Sequence, residues 1–235
     1  MTLSSIDTLL GTAGLIRLGA FHPGPSDGVP GFDSQRQGDA TLILAGNAGP
    51  AMWRVFSKQR RQEDDPHPLD GWSHRCLTRI ASELSDNLAR PVQALFPFGG
   101  PPYLPFQRWA HKSGDVAPSP FGPMVHKKYG LWHAYRGALL IHTKLEFPLQ
   151  PGSRPPSHCA DCDDKPCMSA CPVNAFGSSG YDVPACIEHL ASGNGEECFR
   201  LGCLARHACP IGREYAYGED HARFHLGKFF AAHTR

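Results

Sequence analysis

Apolar residues in the first half of the chain follow strand-like and helix-like spacings. Residues 40–46 (ATLILAG) form a short apolar run between Asp39 and Gly46, which is typical of a buried strand. From Leu69 onward, apolar residues recur at intervals of three and four, which predicts an amphipathic helix that ends before Pro91. The apolar positions of this helix are Trp72, Cys76, Leu77, Ile80, Leu84 and Leu88.

Three further segments complete the pattern of the first domain. Residues 92–96 (VQALF) predict a second strand, and residues 105–111 (PFQRWAH) predict a short helix with a proline near its first turn. Residues 130–141 (GLWHAYRGALLI) combine aromatic and aliphatic side chains and predict a third strand or a turn followed by a strand. Mixed elements in this order favour an α+β domain.

The predicted domains are residues 1–148 and 149–235. A proline-rich link at residues 148–156 separates them. Near the carboxyl end, apolar residues at helical spacing predict a final helix that packs on the second domain. These residues are Phe224, Leu226, Phe229 and Phe230.

Composition excludes several classes of protein. The chain has 235 residues, a formal net charge of +1 and 41% hydrophobic residues, so it can bury a core but carries no overall basic footprint for nucleic acid. No apolar run reaches the roughly 18 residues of a membrane span. Residues 1–19 lack the basic start of a secretory signal. We therefore expect a cytoplasmic protein without a membrane partner, and a nucleic-acid partner is not expected.

Cysteines dominate the last third of the chain. Eight of the nine lie between Cys159 and Cys209, and two of them are followed by proline, at Cys171 and Cys209. The first group, Cys159-x2-Cys162-x4-Cys167-x3-Cys171-Pro, is close to the bacterial ferredoxin run, with two extra residues between its second and third cysteines. In that run the fourth cysteine ligates the other cluster of a two-cluster protein.

Eight thiolates are the number that two [4Fe-4S] clusters need. Crossed ligation divides them into two sets. The first set is Cys159, Cys162, Cys167 and Cys209, and the second set is Cys171, Cys186, Cys198 and Cys203. Zinc is the main alternative, although only Cys159 and Cys162 form the C-x2-C pair that a zinc ribbon uses twice. A disulfide framework is disfavoured in a reducing compartment, and Cys76 is interpreted as a buried apolar residue.

Two motif regions resemble known families. The segments 170–175 (ACPVNA), 181–187 (YDVPACI), 202–203 (GC) and 209–210 (CP) resemble the ferredoxin module of epoxyqueuosine reductases and reductive dehalogenases. Residues 126–140 (HKKYGLWHAYRGALL) are similar to a segment of the cobalamin-processing proteins of the cblC type. These resemblances imply a nitroreductase-like domain of the cobalamin-binding type, followed by a two-cluster ferredoxin-like module.

The resemblance also implies cofactors and a corrinoid site. Cobalamin would be reduced, or would lose its upper axial ligand, with electrons from two 4Fe-4S clusters. An electron donor such as a flavoprotein or a ferredoxin reductase would in turn reduce the clusters. The matching positions are His126, Tyr129, Trp132, Tyr135, Arg136 and Gly137. Five of these positions have a structural alternative. His126 could be a surface histidine, and Arg136 could pair with a carboxylate or a carbonyl at a strand end. The three aromatic residues could belong to the core.

One departure separates the chain from epoxyqueuosine reductases. Those enzymes carry an aspartate, the expected proton donor, shortly before the segment that matches residues 126–140. At that place this chain has residues 118–123 (PSPFGP), which contain no acidic residue. Asp115 lies too far toward the amino terminus to match the aspartate. Protonation of a substrate without a general acid is unfavourable. Two other functions stay open: a ferredoxin-like electron carrier that binds no corrinoid, and a cobalamin-dependent reductase of a small or nucleoside substrate.

Overall fold

The structure is a computed structural model that describes residues 2–32, 39–60, 65–147 and 158–234. Its contacts divide the chain into two units. The first contains the described residues of Met1–Asp115 and Ala134–Ser153, and the second contains those of Val116–His133 and Arg154–Arg235. The second unit therefore includes a segment that the sequence analysis assigned to the first domain. The predicted proline-rich link at 148–156 lies outside the described residues.

The first unit is built on a four-stranded sheet. Along the chain its elements are α1 (Leu3–Thr12), β1 (Ile16–Phe21), β2 (Thr41–Ala48), α2 (Ala51–Gln59), α3 (Pro68–Leu88), β3 (Val92–Leu95) and α4 (Phe106–Ser113). A later strand, β6 (His133–Ile141), completes the sheet, whose order is β1-β2-β6-β3. β1 pairs antiparallel with β2, with Ile16 opposite Gly46, and β3 pairs antiparallel with β6, with Val92 opposite Ile141.

Burial explains why these segments form this sheet. The four residues Leu42–Ala45 of β2 have no exposed surface, and neither do Ala138–Ile141 of β6. Both strands are central and covered, so their sequences are runs of apolar residues rather than alternations. Each fully buried leucine or isoleucine contributes about 1.5–3 kcal/mol of transfer free energy.

Helices cover this sheet with their apolar sides. α3 packs on β3, and α1 packs on β1 and α3. The ring of Phe56 in α2 meets the edge of Trp72 in α3 at 5.7 Å. Pro68 stands at the first position of α3, where its missing N–H has no hydrogen bond to lose.

The second unit consists of short elements. They are β4 (Val116–Ala117), β5 (Val125–His126), α5 (Pro166–Ser169), β7 (Phe176–Gly177), β8 (Gly180–Tyr181), α6 (Val183–Ala191), α7 (Glu196–Leu201), α8 (Leu204–Ala208) and α9 (Glu219–His233). β4 pairs with β5 and β7 with β8, both antiparallel. α9 packs on α6 and α7, which confirms the prediction of a final helix that covers the cysteine region.

Most of the predicted elements are present. The α+β class is confirmed, and the strand predicted at 40–46, the helix from Leu69 and the strand at 92–96 correspond to β2, α3 and β3. The short helix predicted at 105–111 is α4. α1, β1 and α2 are further elements, which the sequence pattern did not predict. Within the described ranges, no helix is long and apolar enough to cross a membrane.

Candidate functional site

The first cysteine set surrounds one small cavity. Cys159, Cys162, Cys167 and Cys209 all line a cavity of about 30 Å³ in the second unit. Its other walls are mainly apolar and come from Pro120, Val125, Pro166, Pro210 and Ile211. The fold therefore gathers four thiols from three chain segments, in the combination proposed from their spacing.

Local structure explains how these thiols converge. Lys165 adopts the left-handed conformation, with φ 38°, just before Pro166 opens α5, and this turn carries Cys167 inward. Cys209 follows the last residue of α8, and Pro210 prevents the helix from continuing. Cys167 and Cys209 are buried, together with Phe121, Val125 and Leu131, in one apolar cluster.

The protein environment disfavours free thiolates at this site. Burial raises the pKa of the Cys159 thiol, and the nearby Cys209, Cys167 and Cys162 raise it further. Burial likewise raises the pKa of Cys167, with contributions from Cys209 and Cys162. Several thiolates in one apolar cavity repel each other, and a cationic metal centre removes that penalty.

The second cysteine set is collected from several short helices and the residues next to them. Cys186 lies in α6, Cys198 lies in α7, and Cys203 immediately precedes α8. Burial raises the pKa of Cys198 to about 11, and Cys203, Cys186 and Cys171 add to the effect. These three cysteines are therefore its electrostatic neighbours, as the proposed second set requires.

Polar groups accompany the second set. The Tyr181 hydroxyl hydrogen-bonds to Cys186, which lowers the pKa of that thiol, although burial raises it overall. The backbone N–H of Ala175 donates to Cys171 Sγ at 3.3 Å. Nε2 of His189 lies 3.7 Å from Cys198 Sγ. Such contacts to thiolates stabilise negative charge and tune a bound metal centre.

Neither set has the compact geometry of a single-ion site. Across the described ranges, no group of three or more His, Cys, Asp or Glu side chains is arranged to hold one metal ion. A four-iron cubane binds each cysteine at a different iron, so its ligands stand farther apart than the ligands of one zinc ion. The cluster type and the number of clusters remain predictions.

The predicted corrinoid residues are divided between the two units. His126, Tyr129 and Trp132 belong to the second unit, and Tyr135, Arg136 and Gly137 lie on β6 in the first.

His126 is a buried histidine, and the surface alternative is wrong. Only 4% of its surface is exposed. Its Nδ1 accepts hydrogen bonds from the backbone N–H groups of Lys128 at 3.0 Å and Tyr129 at 3.2 Å. Burial, assisted by the positive charges of Lys127 and Lys128, lowers the pKa of His126 to about 4. The ring is therefore neutral near pH 7 and holds the turn after β5.

A close backbone approach explains Gly130 in the same segment. Gly130 has φ +54°, and a Cβ there would collide with the backbone carbonyl of Ile211. Gly212 has φ +70°, and a Cβ there would collide with the backbone of Tyr129. Only glycine combines positive φ with this proximity. The segment thus packs directly on the loop that follows Cys209-Pro210, which is why it belongs to the cysteine unit.

Trp132 and Tyr129 pack within the cysteine unit as well. Trp132 is 1% exposed, and its ring meets those of Tyr217 at 5.3 Å and His207 at 5.7 Å. Tyr129 is half-buried and packs edge-on against Tyr215 at 4.8 Å.

The three remaining residues have structural contacts in the first unit. Nε of Arg136 donates to Oδ1 of Asn47 on β2 at 2.9 Å. Burial raises the pKa of Tyr135, and Asp115 contributes to the same shift. A Cβ on Gly137 would lie 2.5 Å from Leu77 Cδ1, so close packing requires this glycine. Tyr135 and Arg136 are partly buried.

Comparisons with known proteins identify the fold. No protein-family profile matches the chain, and no curated protein matches it. A solved structure of the B12-trafficking protein CblC from C. elegans, a homologue of human MMACHC, matches with TM-score 0.54 and 16% identity over 95% of this chain and 91% of that chain. The chain shares its fold.

Epoxyqueuosine reductases share the fold as well. The structure from Streptococcus thermophilus matches with TM-score 0.54 and 15% identity, over 94% of this chain and 69% of that one. Another, solved with an epoxyqueuosine-modified tRNA-Tyr stem loop, matches with TM-score 0.53 and 12% identity, over 92% and 67%. The resemblance to both families is confirmed at the level of the fold. Because this structural neighbour was solved with a tRNA stem loop, the expectation that nucleic acid is not a partner is not supported.

Proposed function

We propose that this protein is a cytoplasmic iron-sulfur oxidoreductase that binds cobalamin and reduces it or removes its upper axial ligand. Two observations support the proposal. The fold is that of a B12-trafficking protein over nearly its whole length, and the same chain carries eight cysteines in two neighbouring sets, which suit electron transfer. A reductase that holds its iron-sulfur clusters and its corrinoid in the same chain can pass electrons to cobalt without a diffusing electron carrier.

The observation that carries the proposal is the cavity lined by Cys159, Cys162, Cys167 and Cys209. These four thiols would hold one [4Fe-4S] cluster, and Cys171, Cys186, Cys198 and Cys203 would hold the other. A bound cluster supplies one-electron reduction at low potential. The apolar walls from Val125, Pro120 and Ile211 keep water from the cysteines and orient them.

For cobalamin, the partly buried members of the predicted set are the strongest candidates. Tyr129, Tyr135 and Arg136 retain exposed surface, so a ligand can reach them. His126 and Trp132 are buried, and Gly137 is required for packing. These three residues would not contact cobalamin themselves but would hold the neighbouring residues in position.

The test is a visible-absorption titration of anaerobic, cluster-loaded protein with hydroxocobalamin, before and after a reductant is added. We expect saturable shifts of the corrinoid bands, followed on reduction by the spectrum of Co(II) or Co(I). The variant Arg136→Gln should weaken binding, whereas Arg90→Gln, an exposed arginine of the same unit, should not. A corrinoid spectrum that stays that of free cobalamin at stoichiometric protein would favour an electron carrier without corrinoid.

A second candidate is a cobalamin-dependent reductase of a nucleoside substrate. The fold likeness to epoxyqueuosine reductase, including a structure with a tRNA stem loop, favours it. The missing aspartate in residues 118–123 opposes it. Incubation of the reduced, cobalamin-loaded protein with epoxyqueuosine-modified tRNA separates the two, since only the second candidate converts the modified base.

A further inference from the structure

A second cavity lies in the unit that carries the cysteines. Its volume is about 190 Å³ and it is partly open to solvent. Its aromatic lining comes from Trp132 and Tyr217, and α9 contributes the apolar Leu226 and Phe229. The remaining lining residues are Gly202, Cys203, Arg206, Ala222 and His225. A space of this size fits a small organic molecule and is far too small for a corrinoid.

Trp132 supplies a donor without an acceptor. The residue is 1% exposed, and its indole Nε1 has no hydrogen-bond partner among the residues that the structure describes. A buried donor left unsatisfied costs about 1–3 kcal/mol. An acceptor atom of a bound molecule would remove that cost.

Arg206 supplies a positive charge at the same place. Its Nε and Nη2 donate to the carbonyl oxygen of Leu131 at 2.9 Å and 2.6 Å. The guanidinium carbon lies 4.5 Å from the ring centres of both Trp132 and Tyr217. No carboxylate of the described residues forms an ion pair with Arg206. The guanidinium thus lies beside two aromatic rings, and its positive charge is available to bind an anion.

We propose that this cavity binds a small organic carboxylate. One carboxylate oxygen would accept hydrogen bonds from Trp132 Nε1 and from Arg206, and the apolar part would lie against Leu226 and Phe229. Charged hydrogen bonds of this kind are about twice as strong as neutral ones. Cys203 lies in the same wall, so the ligand would sit beside a thiol of the second set.

The experiment is equilibrium dialysis of the full-length, cluster-loaded protein against radiolabelled benzoate, with benzamide as its neutral counterpart of equal shape. We expect one benzoate per chain and at least about tenfold weaker binding of benzamide. Stoichiometric hydroxocobalamin should leave benzoate binding unchanged, because the cavity is far too small for a corrinoid. A failed cobalamin titration would overturn the proposed function and leave this inference standing.

Two variants assign the contacts. Trp132→Phe keeps an aromatic side chain and removes the N–H together with the five-membered ring of the indole. Arg206→Gln removes the charge. Each should weaken benzoate binding about tenfold, whereas Arg200→Gln, an exposed arginine on α7, should not change it. The inference is wrong if benzoate does not bind, if benzamide binds equally well, if cobalamin displaces benzoate, or if Trp132→Phe binds like the unaltered protein.

Discussion

The two cysteine sets differ in their surroundings. The first set lines an apolar cavity of about 30 Å³ and shares its cluster of buried side chains with Phe121, Val125 and Leu131. The second set lies after α5, within α6 and α7 and just before α8. It has polar neighbours, including Tyr181, which is 42% exposed. Both sets are largely buried, but the second set has more hydrogen-bond donors close to its sulfur atoms.

This difference assigns different roles to the two sets. Hydrogen bonds to sulfur raise the reduction potential of an iron-sulfur cluster, and an apolar site with fewer such bonds leaves the potential lower. We therefore expect a cluster on the first set to have the lower potential. A cluster on the second set would exchange electrons more readily with an external donor, because Tyr181 lies at the surface beside Cys186.

The largest expected effect is the loss of one cluster at a time. Cys167→Ser should reduce iron from about eight to about four atoms per chain, because it removes a ligand of the first set alone. Cys186→Ser should do the same for the second set, and the double variant should bind almost no iron. Iron and sulfide assays with electron paramagnetic resonance measure this.

Cys76→Ser is the control for these variants. Cys76 is a buried cysteine of α3 in the first unit, and its replacement should leave the iron content unchanged. If Cys167→Ser alone removes all the iron, the two sets do not form independent sites.

A medium effect is expected from acidification. The fold depresses the pKa of His126 from 6.5 to about 4, so the folded state favours the neutral ring. The resulting stabilisation is fully present above pH 6.5 and is lost as the pH falls through 6.5 toward 4. At pH 5 the loss is about 2 kcal/mol. Because Val125, next to His126, lines the first cavity, the first cluster should be released before the second.

Urea unfolding followed by the visible absorbance of the clusters at pH 7 and pH 5 checks this. His126→Gln should be less stable than the unaltered protein at pH 7, and the difference should shrink at pH 5. His233→Gln, an exposed histidine of the same unit, should retain the original pH dependence. Equal pH dependence in His126→Gln and the unaltered protein would contradict the assignment.

The smallest expected effect concerns the second set alone. Tyr181→Phe keeps the ring stacked on Phe176 at 4.7 Å and removes the hydroxyl that bonds to Cys186. The potential of the second cluster should fall by some tens of millivolts, since about 60 mV corresponds to a tenfold change in a one-electron equilibrium. Redox titration monitored by electron paramagnetic resonance resolves this. A shift confined to the first cluster would reverse the assignment of ligands.

Several features followed from sequence patterns because their causes are local. The apolar run of β2 and the three-and-four spacing of α3 are properties of neighbouring residues, and they predicted elements at nearly the observed positions. The cysteine spacing suggested which thiols would share a site. The resemblance in residues 126–140 suggested a fold that comparison with solved structures confirmed.

Only the tertiary structure assigned residues 116–133 to the cysteine unit and buried His126. The reason is that both depend on contacts between residues far apart in the chain. Gly130 packs against the loop at Ile211, about eighty residues later in the chain. The apolar pattern within either segment gives no indication of this contact. The cavity beside Arg206 has the same origin, since Trp132 and α9 meet there only in the folded chain.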